Sequence, residues 1–168
     1  MLLEGSCQCG RVTFRVQSDT PYPFMYCYCS ICRKTTGGAF GCNIMGRRDT
    51  LRVRGRRFLK KYHGRIRERG RTEISSAERW FCRQCGTHVY VLDPEWPDGV
   101  WPNAGAIDTP LPVPPSHVHL MLRFKPAWVQ VSGRGPRFPR YPKLSIEAWH
   151  KAHRLYGARS RAHSRARR

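Results

Sequence analysis

Three cysteines within six residues give this chain its clearest chemical signal. Cys27, Cys29 and Cys32 form a C-x-C pair and a C-x-x-C pair that share Cys29. This spacing can turn three sulfur atoms toward one point, as zinc–thiolate bonds of roughly 2.3 Å require. Structural zinc sites are normally closed by four protein ligands, whereas a site with three keeps one position for water or substrate. The sequence therefore predicts a metal site with an open coordination position.

Two further cysteine pairs lie far apart in the sequence, Cys7 with Cys9 and Cys82 with Cys85. Each pair is followed by a glycine, which is free to take positive φ as the chain reverses. Together the pairs predict a four-cysteine zinc site that closes a loop of about 75 residues, a structural role. In a reducing compartment, eight cysteines in such clusters favour metal ligation over disulfides.

The eighth cysteine, Cys42, leaves the ligand assignment open. Adding Cys42 to the triad as a fourth ligand, or pairing the half-sites differently, would make the second site a closed structural one. A small buried thiol is the commoner fate of a lone cysteine. Iron is the alternative metal at thiolate ligands, although zinc is the commoner occupant of such spacing.

The elements that must position these thiols are predicted to be mainly β-strands. Val12, Phe14 and Val16 alternate on one face of a strand that follows the first cysteine pair. Residues 88–92 predict another strand. Residues 117–124 alternate as well, which places His117 and His119 on the face opposite the apolar residues.

One helix is predicted near the C-terminus. Ser145 can N-cap a helix that runs through Tyr156 and stops at Gly157. Between residues 94 and 115 lie seven of the thirteen prolines, which predict an irregular connection packed on the domain.

The length of 168 residues predicts one domain with a tail. We place the domain at residues 1–150 and the helix end with a disordered basic tail at residues 151–168. The tail prediction rests on five arginines without an apolar period in residues 158–168.

The net charge of +20 and a pI near 10.6 favour anionic partners. Residues 47–73 carry twelve Arg or Lys against three Asp or Glu and predict antiparallel strands with one basic face. A solvated sheet face and a nucleic-acid groove are the two interpretations of that face.

The N-terminal residues have no basic segment followed by an apolar run, and nowhere do about 18 apolar residues follow one another. We therefore expect a soluble, cytoplasmic protein without a membrane span.

The order of the cysteine motifs resembles the glutathione-dependent formaldehyde-activating enzyme family, which also includes the centromere protein V type of member. The matching motifs are Gly5-Ser6-Cys7-Gln8-Cys9-Gly10, Cys27-x-Cys29-Ser30-x-Cys32-Arg33-Lys34 and Phe81-Cys82-x-x-Cys85-Gly86-Thr87. His119, nine residues before Trp128, is similar to the family's late His and Trp signature. The resemblance covers roughly residues 3–150.

The resemblance implies a mainly β fold of the Mss4-like kind with two zinc ions, one structural and one catalytic. The structural ligands would be Cys7, Cys9, Cys82 and Cys85, and the catalytic ligands Cys27, Cys29 and Cys32. The implied activity is that of S-(hydroxymethyl)glutathione synthase, a carbon–sulfur lyase that joins glutathione and formaldehyde. The family usually has His where Tyr28 stands here.

His119 is predicted to assist at the open site, and a histidine merely hydrogen-bonded at the sheet surface is the alternative. Arg33, Lys34 or the basic 47–73 face could hold the carboxylates of glutathione. The alternative function is a non-catalytic zinc scaffold that binds nucleic acid through its basic face and tail. Such binding would weaken steeply with salt.

Overall fold

The computed structural model describes residues 1–68 and 70–157. Within these residues the chain folds into three β-sheets and two short α-helices, so the prediction of a mainly β fold is confirmed. The predicted tail at residues 158–168 lies outside the described residues, and the division of the chain at residue 150 stays a prediction. No helix in the described part of the chain is long and apolar enough to cross a membrane.

The strands are short except for one long hairpin, and each helix has seven residues. In chain order the elements are β1 (Leu2–Ser6), β2 (Thr13–Gln17), β3 (Met25–Cys27), α1 (Ser30–Thr36), β4 (Gly41–Cys42), β5 (Gly46–Arg47), β6 (Arg52–Arg54), β7 (Leu59–Glu68), β8 (Arg71–Cys82), β9 (His88–Leu92), β10 (Gly99–Pro102), β11 (Val118–Leu120) and α2 (Ile146–Ala152).

The three sheets differ in size and in strand direction. One antiparallel sheet has the order β1-β2-β6, and a five-stranded antiparallel sheet has the order β5-β10-β9-β8-β7. The third sheet has the order β11-β3-β4, in which β3 pairs in parallel with β11 and antiparallel with β4. Cys27 therefore lies on the central strand of the smallest sheet, which is hydrogen-bonded to a strand on each side.

The main core confirms the predicted alternation after the first cysteine pair. Val12, Phe14 and Val16 are all buried, as the period of two in a half-buried strand requires. They pack with buried residues of β1, β9 and β10, including Leu3, Val89 and Val100. Burying each such side chain stabilises the fold by roughly 1.5–3 kcal/mol.

The basic 47–73 segment forms the predicted antiparallel strands, because β7 pairs with β8. The prediction of one basic face is wrong, however. Lys60 and Lys61 are consecutive residues of β7 and both are exposed, so the cations project from opposite faces of the hairpin. Lys61 forms an ion pair with Glu78 at 2.6 Å, between its Nζ and the Oε1 atom.

Two predictions about the second half of the chain are wrong in part. The proline-rich residues 94–115 include β10, which pairs with β5 and β9 and ends at Pro102, where a missing backbone N–H costs least. The strand predicted at 117–124 ends at Leu120, because Met121 takes the left-handed conformation at φ +61° and the chain turns.

The N-cap prediction for the C-terminal helix agrees with the structure. The hydroxyl of Ser145 accepts a hydrogen bond of 3.1 Å from the backbone N–H of Ala148. The helix ends at Ala152 and does not reach Tyr156. Arg154 takes φ +57°, and the backbone N–H groups of residues 154 and 155 bond back to carbonyls of the last turn, as in a Schellman cap.

Helix α2 is held against the small sheet by aromatic stacking. The rings of Trp149 and Phe24 lie 3.8 Å apart, centroid to centroid, at an interplanar angle of 7°. Val118 of β11 completes this second, smaller core. Helix α2 thus supports the sheet that carries Cys27.

Candidate metal centres

Four cysteine side chains from distant parts of the chain meet in a first cluster, which we call the four-thiol cluster. Its members are Cys7, Cys9, Cys82 and Cys85, whose sulfur atoms all lie within 4.8 Å of one another. The Sγ atoms of Cys7 and Cys9 are 3.5 Å apart, and those of Cys9 and Cys82 are 3.8 Å apart. A tetrahedral zinc site with bonds of about 2.3 Å places its sulfur atoms about 3.8 Å apart. The four-thiol cluster therefore fits a closed tetrahedral metal.

Two tight turns deliver these thiols. The backbone N–H of Gly10 bonds to the carbonyl of Cys7 at 2.8 Å, and that of Gly86 bonds to the carbonyl of Cys82 at 2.8 Å. Both glycines take positive φ, at +72° and +74°, which only glycine adopts without strain. The Sγ atom of Cys7 also accepts a hydrogen bond of 3.2 Å from the backbone N–H of Val12, which fixes the position of this thiol.

A second cluster, which we call the three-thiol cluster, contains Cys27, Cys29 and Cys32. Their sulfur atoms lie within 4.8 Å of one another, and no other Cys, His, Asp or Glu of the described residues joins them. Cys27 ends β3, Cys29 is the N-cap residue of α1, and Cys32 lies in the first turn of that helix. The backbone N–H of Cys32 donates to the Sγ atom of Cys29 at 3.3 Å. Three thiols thus converge as a strand passes into a helix.

The thiols of the three-thiol cluster share their protons. Hydrogen bonds from Cys27 and Cys32 lower the pKa of Cys29 to about 2, whereas the same sharing raises the pKa of Cys27 well above its ordinary value. The cluster therefore favours negative charge on the sulfur atom of Cys29. A metal that recruits all three must displace the remaining protons, so its affinity rises with pH.

Cys42 does not join either cluster. It lies on β4 opposite Tyr26, and burial raises the pKa of its thiol to about 12. A neutral buried thiol is a poor metal ligand, since thiolates bind metals. The geometry favours the interpretation of Cys42 as a half-buried thiol outside both clusters over that of a fourth ligand.

The three-thiol cluster borders a cavity of about 550 Å³, which we call the thiol cavity. Its walls include Cys27 and Cys32 on one side and Arg79 of β8 on another. Its size falls within the range of small-molecule sites. The rest of the wall is mixed, with apolar side chains such as Trp96 and Trp101 and the two carboxylates of Asp93 and Glu95. A small ligand in this space would lie beside the thiols.

His119 lies on the other side of β3 from the thiols. It is 1% exposed, and its Nδ1 atom is 3.0 Å from the hydroxyl oxygen of Tyr28, which is equally buried. Alternation along β3 and into the residue after it explains this, because Tyr26 and Tyr28 contact His119 while Cys27 lines the thiol cavity. Burial lowers the pKa of His119, and the charge of Arg137 adds to this effect. His119 does not line the thiol cavity, and its assistance at the open site stays a prediction.

The sequence did not reveal helix α1 or the position of Arg79. A helix of seven residues shows no apolar period, and its only signals are an N-cap at Cys29 and a left-handed glycine, Gly37, at its end. Arg79 is one of 31 basic residues, so its charge does not distinguish it before the fold is known.

Gly41 packs directly against the three-thiol cluster and supplies a prediction. A Cβ atom at this position would lie 2.9 Å from the Cβ atom of Cys32. We expect Gly41→Ala to push α1 away from β4 and weaken metal binding at the three-thiol cluster by about 10- to 100-fold, as loss of a supporting contact does at metal sites. Competition with a zinc chelator measures this affinity.

Gly38→Ala is the matched control, because a Cβ atom at Gly38 would meet only the carbonyl oxygen of Phe40, at 3.6 Å. That variant should bind metal like the wild type. Equal affinities for all three proteins would show that the packing of Gly41 does not hold Cys32 in place.

His88 on β9 gives a prediction about pH. Burial, followed by the nearby charge of Arg79, lowers its pKa to about 4. The unfolded chain, with an ordinary pKa near 6.5, then binds more protons than the folded protein between these two values, so stability falls as pH falls through that range. When the pH falls from 7.5 to 5.5, the free energy of unfolding of the wild type should fall by about 1.4 kcal/mol more than that of His88→Phe. Urea unfolding at both pH values measures this difference.

Measuring both proteins at both pH values isolates the contribution of His88, because every other titrating group contributes to the pH dependence of both proteins. An equal loss of stability in the two proteins would mean that His88 is protonated as easily in the folded state as in the unfolded chain.

Comparisons with known proteins identify an enzyme family to which this chain is similar. The sequence profile of the family described as glutathione-dependent formaldehyde-activating enzyme matches residues 2–122, which contain both clusters. A protein of Halomonas elongata, whose name carries the same enzyme description, is 51% identical over 153 residues, or 89% of this chain and 95% of that protein. A crystal structure of a Rhodobacter sphaeroides protein matches with a TM-score of 0.50 at 27% identity, over 65% of this chain and 91% of the other.

Proposed function

Because this chain belongs to the glutathione-dependent formaldehyde-activating enzyme family, we propose that it is a zinc-dependent carbon–sulfur lyase of the S-(hydroxymethyl)glutathione synthase type. It joins glutathione, or a similar thiol, with formaldehyde or a related aldehyde. One observation carries this proposal. The three-thiol cluster has no fourth protein ligand among the described residues and borders the thiol cavity. A metal there keeps a position that a small molecule can reach.

The reaction is an addition without change of oxidation state. The sulfur of the thiol attacks the carbonyl carbon, the C–S bond forms as the C=O π bond breaks, and the thiol proton ends on the former carbonyl oxygen. A zinc ion at such a site supplies Lewis-acid polarisation of an oxygen atom or lowers the pKa of an incoming thiol. Cys27, Cys29 and Cys32 would hold that ion, and the walls of the thiol cavity would exclude bulk water.

The two clusters have different roles in this proposal. The four-thiol cluster is a structural zinc site, since it is closed and ties β1 to the end of β8. The three-thiol cluster is the catalytic site. His119 acts as a positioning residue, because its hydrogen bond to Tyr28 fixes the backbone between Cys27 and Cys29.

The test is to measure catalysis against the fast uncatalysed reaction. Exchange between free and thiol-bound ¹³C-formaldehyde can be followed by NMR near pH 6, where little free thiolate sustains the background. We expect the exchange rate to rise in proportion to protein carrying two zinc ions per chain. Protein with one zinc, prepared by mild chelation and shown to be folded by circular dichroism, should lose the acceleration and regain it with added zinc.

Cys42→Ser is the control, because Cys42 belongs to neither cluster. It should keep both zinc ions and the full exchange rate. A protein with two zinc ions that leaves the exchange rate at its background value would contradict the proposed reaction.

A further inference from the structure

Arg79 brings a buried charge to the wall of the thiol cavity. Its side chain is 9% exposed, and its Nε and Nη1 atoms are buried without a hydrogen-bond partner in the described part of the chain. No carboxylate of the described residues lies within 4 Å of its guanidinium group. A buried unpaired cation costs several kcal/mol of stability. A negative group beside Arg79 would therefore stabilise the protein.

The fold directs Arg79 toward the thiols and not toward solvent. Cross-strand register places Arg79 between Tyr62 of β7 and Val91 of β9, in the interior of the longest sheet. Val91, Cys27 and Cys32 share the wall of the thiol cavity with it. Because β8 is paired on both sides, the backbone that carries Arg79 is held in place, which favours a bidentate contact of its guanidinium group.

A second unpartnered polar group lies in the same wall. The side-chain oxygen of Asn43 is buried and accepts no hydrogen bond from any described residue. An unmade hydrogen bond of a buried acceptor costs about 1–3 kcal/mol. The thiol cavity therefore offers unpaired donors at Arg79 and an unpaired acceptor at Asn43, a combination complementary to a ligand with a negative group beside an N–H.

We propose that Arg79 binds the C-terminal carboxylate of a small peptide thiol and that Asn43 accepts a hydrogen bond from the amide N–H preceding that carboxylate. In glutathione this is the glycyl end, where N–H and carboxylate are separated by one carbon atom. The sulfur of the same ligand then lies toward the three-thiol cluster. The assignment rests on the proposed function and adds the substrate feature that this enzyme selects, a free peptide carboxylate.

The competing explanation is that Arg79 only balances the negative charge of the thiolates. The two explanations differ in what the loss of Arg79 changes. A residue that balances the thiolates controls metal affinity whatever ligand is present. A residue that binds a carboxylate controls the preference for ligands that carry one.

The experiment measures binding and not turnover. The probes are S-methylglutathione, which has no free thiol, and its glycyl amide, which lacks the C-terminal carboxylate. Titration calorimetry gives the dissociation constants for the wild type, Arg79→Met and Arg79→Lys, with zinc counted per chain in each protein. Arg71→Met is the matched control, because Arg71 is an exposed arginine of the same strand.

For the wild type we expect S-methylglutathione to bind about 10- to 100-fold more tightly than its glycyl amide, as charged hydrogen bonds in a buried site allow. Arg79→Met should remove this preference and keep two zinc ions. Arg79→Lys should retain part of the preference, because lysine keeps the charge and loses the bidentate fork. Asn43→Ala should weaken both probes equally, since both carry the amide N–H.

Equal binding of the two probes to the wild type would overturn the inference. So would an Arg79→Met protein that loses one zinc and retains the preference in the remaining binding. The outcomes also separate the inference from the proposed function. Carboxylate-dependent binding without accelerated formaldehyde exchange would refute the function alone, whereas accelerated exchange without a preference between the probes would refute the inference alone.

Discussion

Replacing Cys29 with serine should remove one of two zinc ions per chain and abolish accelerated formaldehyde exchange, while the fold persists. Hydrogen bonds from Cys27 and Cys32 lower the pKa of Cys29, and Cys29 is also the N-cap residue of α1. Serine is a favoured N-cap residue, so Cys29→Ser removes the thiolate and keeps the start of the helix. The variant therefore tests the metal ligand with little disturbance of the helix that carries Cys32.

The expected loss of rate is on the order of a hundredfold or more, because Lewis-acid assistance supplies several kcal/mol and each 1.36 kcal/mol is tenfold in rate. Zinc is counted by elemental analysis, and folding is followed by circular dichroism and thermal unfolding. Cys42→Ser serves as the control at a cysteine outside both clusters. A Cys29→Ser protein with two zinc ions, or with the exchange rate of the wild type, would remove the three-thiol cluster from the mechanism.

Replacing Cys82 with serine should instead destabilise the whole fold. Cys82 is fully buried at the end of β8, and the four-thiol cluster joins it to Cys7 and Cys9 near the N-terminus. Apparent binding energies of structural zinc are about 10–16 kcal/mol, as large as the net stability of a whole domain. We expect Cys82→Ser to be insoluble or to lose cooperative thermal unfolding.

A second variant keeps this prediction testable when Cys82→Ser does not fold. Cys85 is half-buried and lies on the outer part of the same turn, so Cys85→Ser disturbs the core less. Its unfolding temperature should fall by at least about 10 °C, which corresponds to a few kcal/mol for a chain of this size. An unfolding temperature within two or three degrees of the wild type would show that the four-thiol cluster does not hold the fold together.

The cysteine spacing carries most of what the sequence could predict about this site. Cys27, Cys29 and Cys32 are close in sequence, so covalent geometry alone limits where their sulfur atoms can point. Cys7 and Cys82 are far apart, yet each belongs to a pair followed by a glycine, and two half-sites of the same kind imply a common partner. Local chemistry was enough to predict both clusters.

The parts that the sequence did not predict depend on tertiary contacts. Met121 ends β11 with a left-handed conformation that its residue type does not favour, and Arg154 ends α2 in the same way. Pro102 lies in a strand because it occupies the last position of that strand. Arg79 acquires its place in the wall of the thiol cavity only when β7 and β9 flank β8. Such positions follow from packing, which no short stretch of sequence contains.

The parallel pairing of β3 with β11 has a consequence for how the protein matures. The four thiols of the first cluster are all synthesised once the chain reaches Cys85, whereas β3 receives its parallel partner only when residues 118–120 leave the ribosome. Long-range parallel pairing forms slowly, because distant segments must meet first. The four-thiol cluster can therefore assemble before β3 acquires its parallel partner. Under the proposed function, the structural cluster would then be complete before the small sheet that carries Cys27.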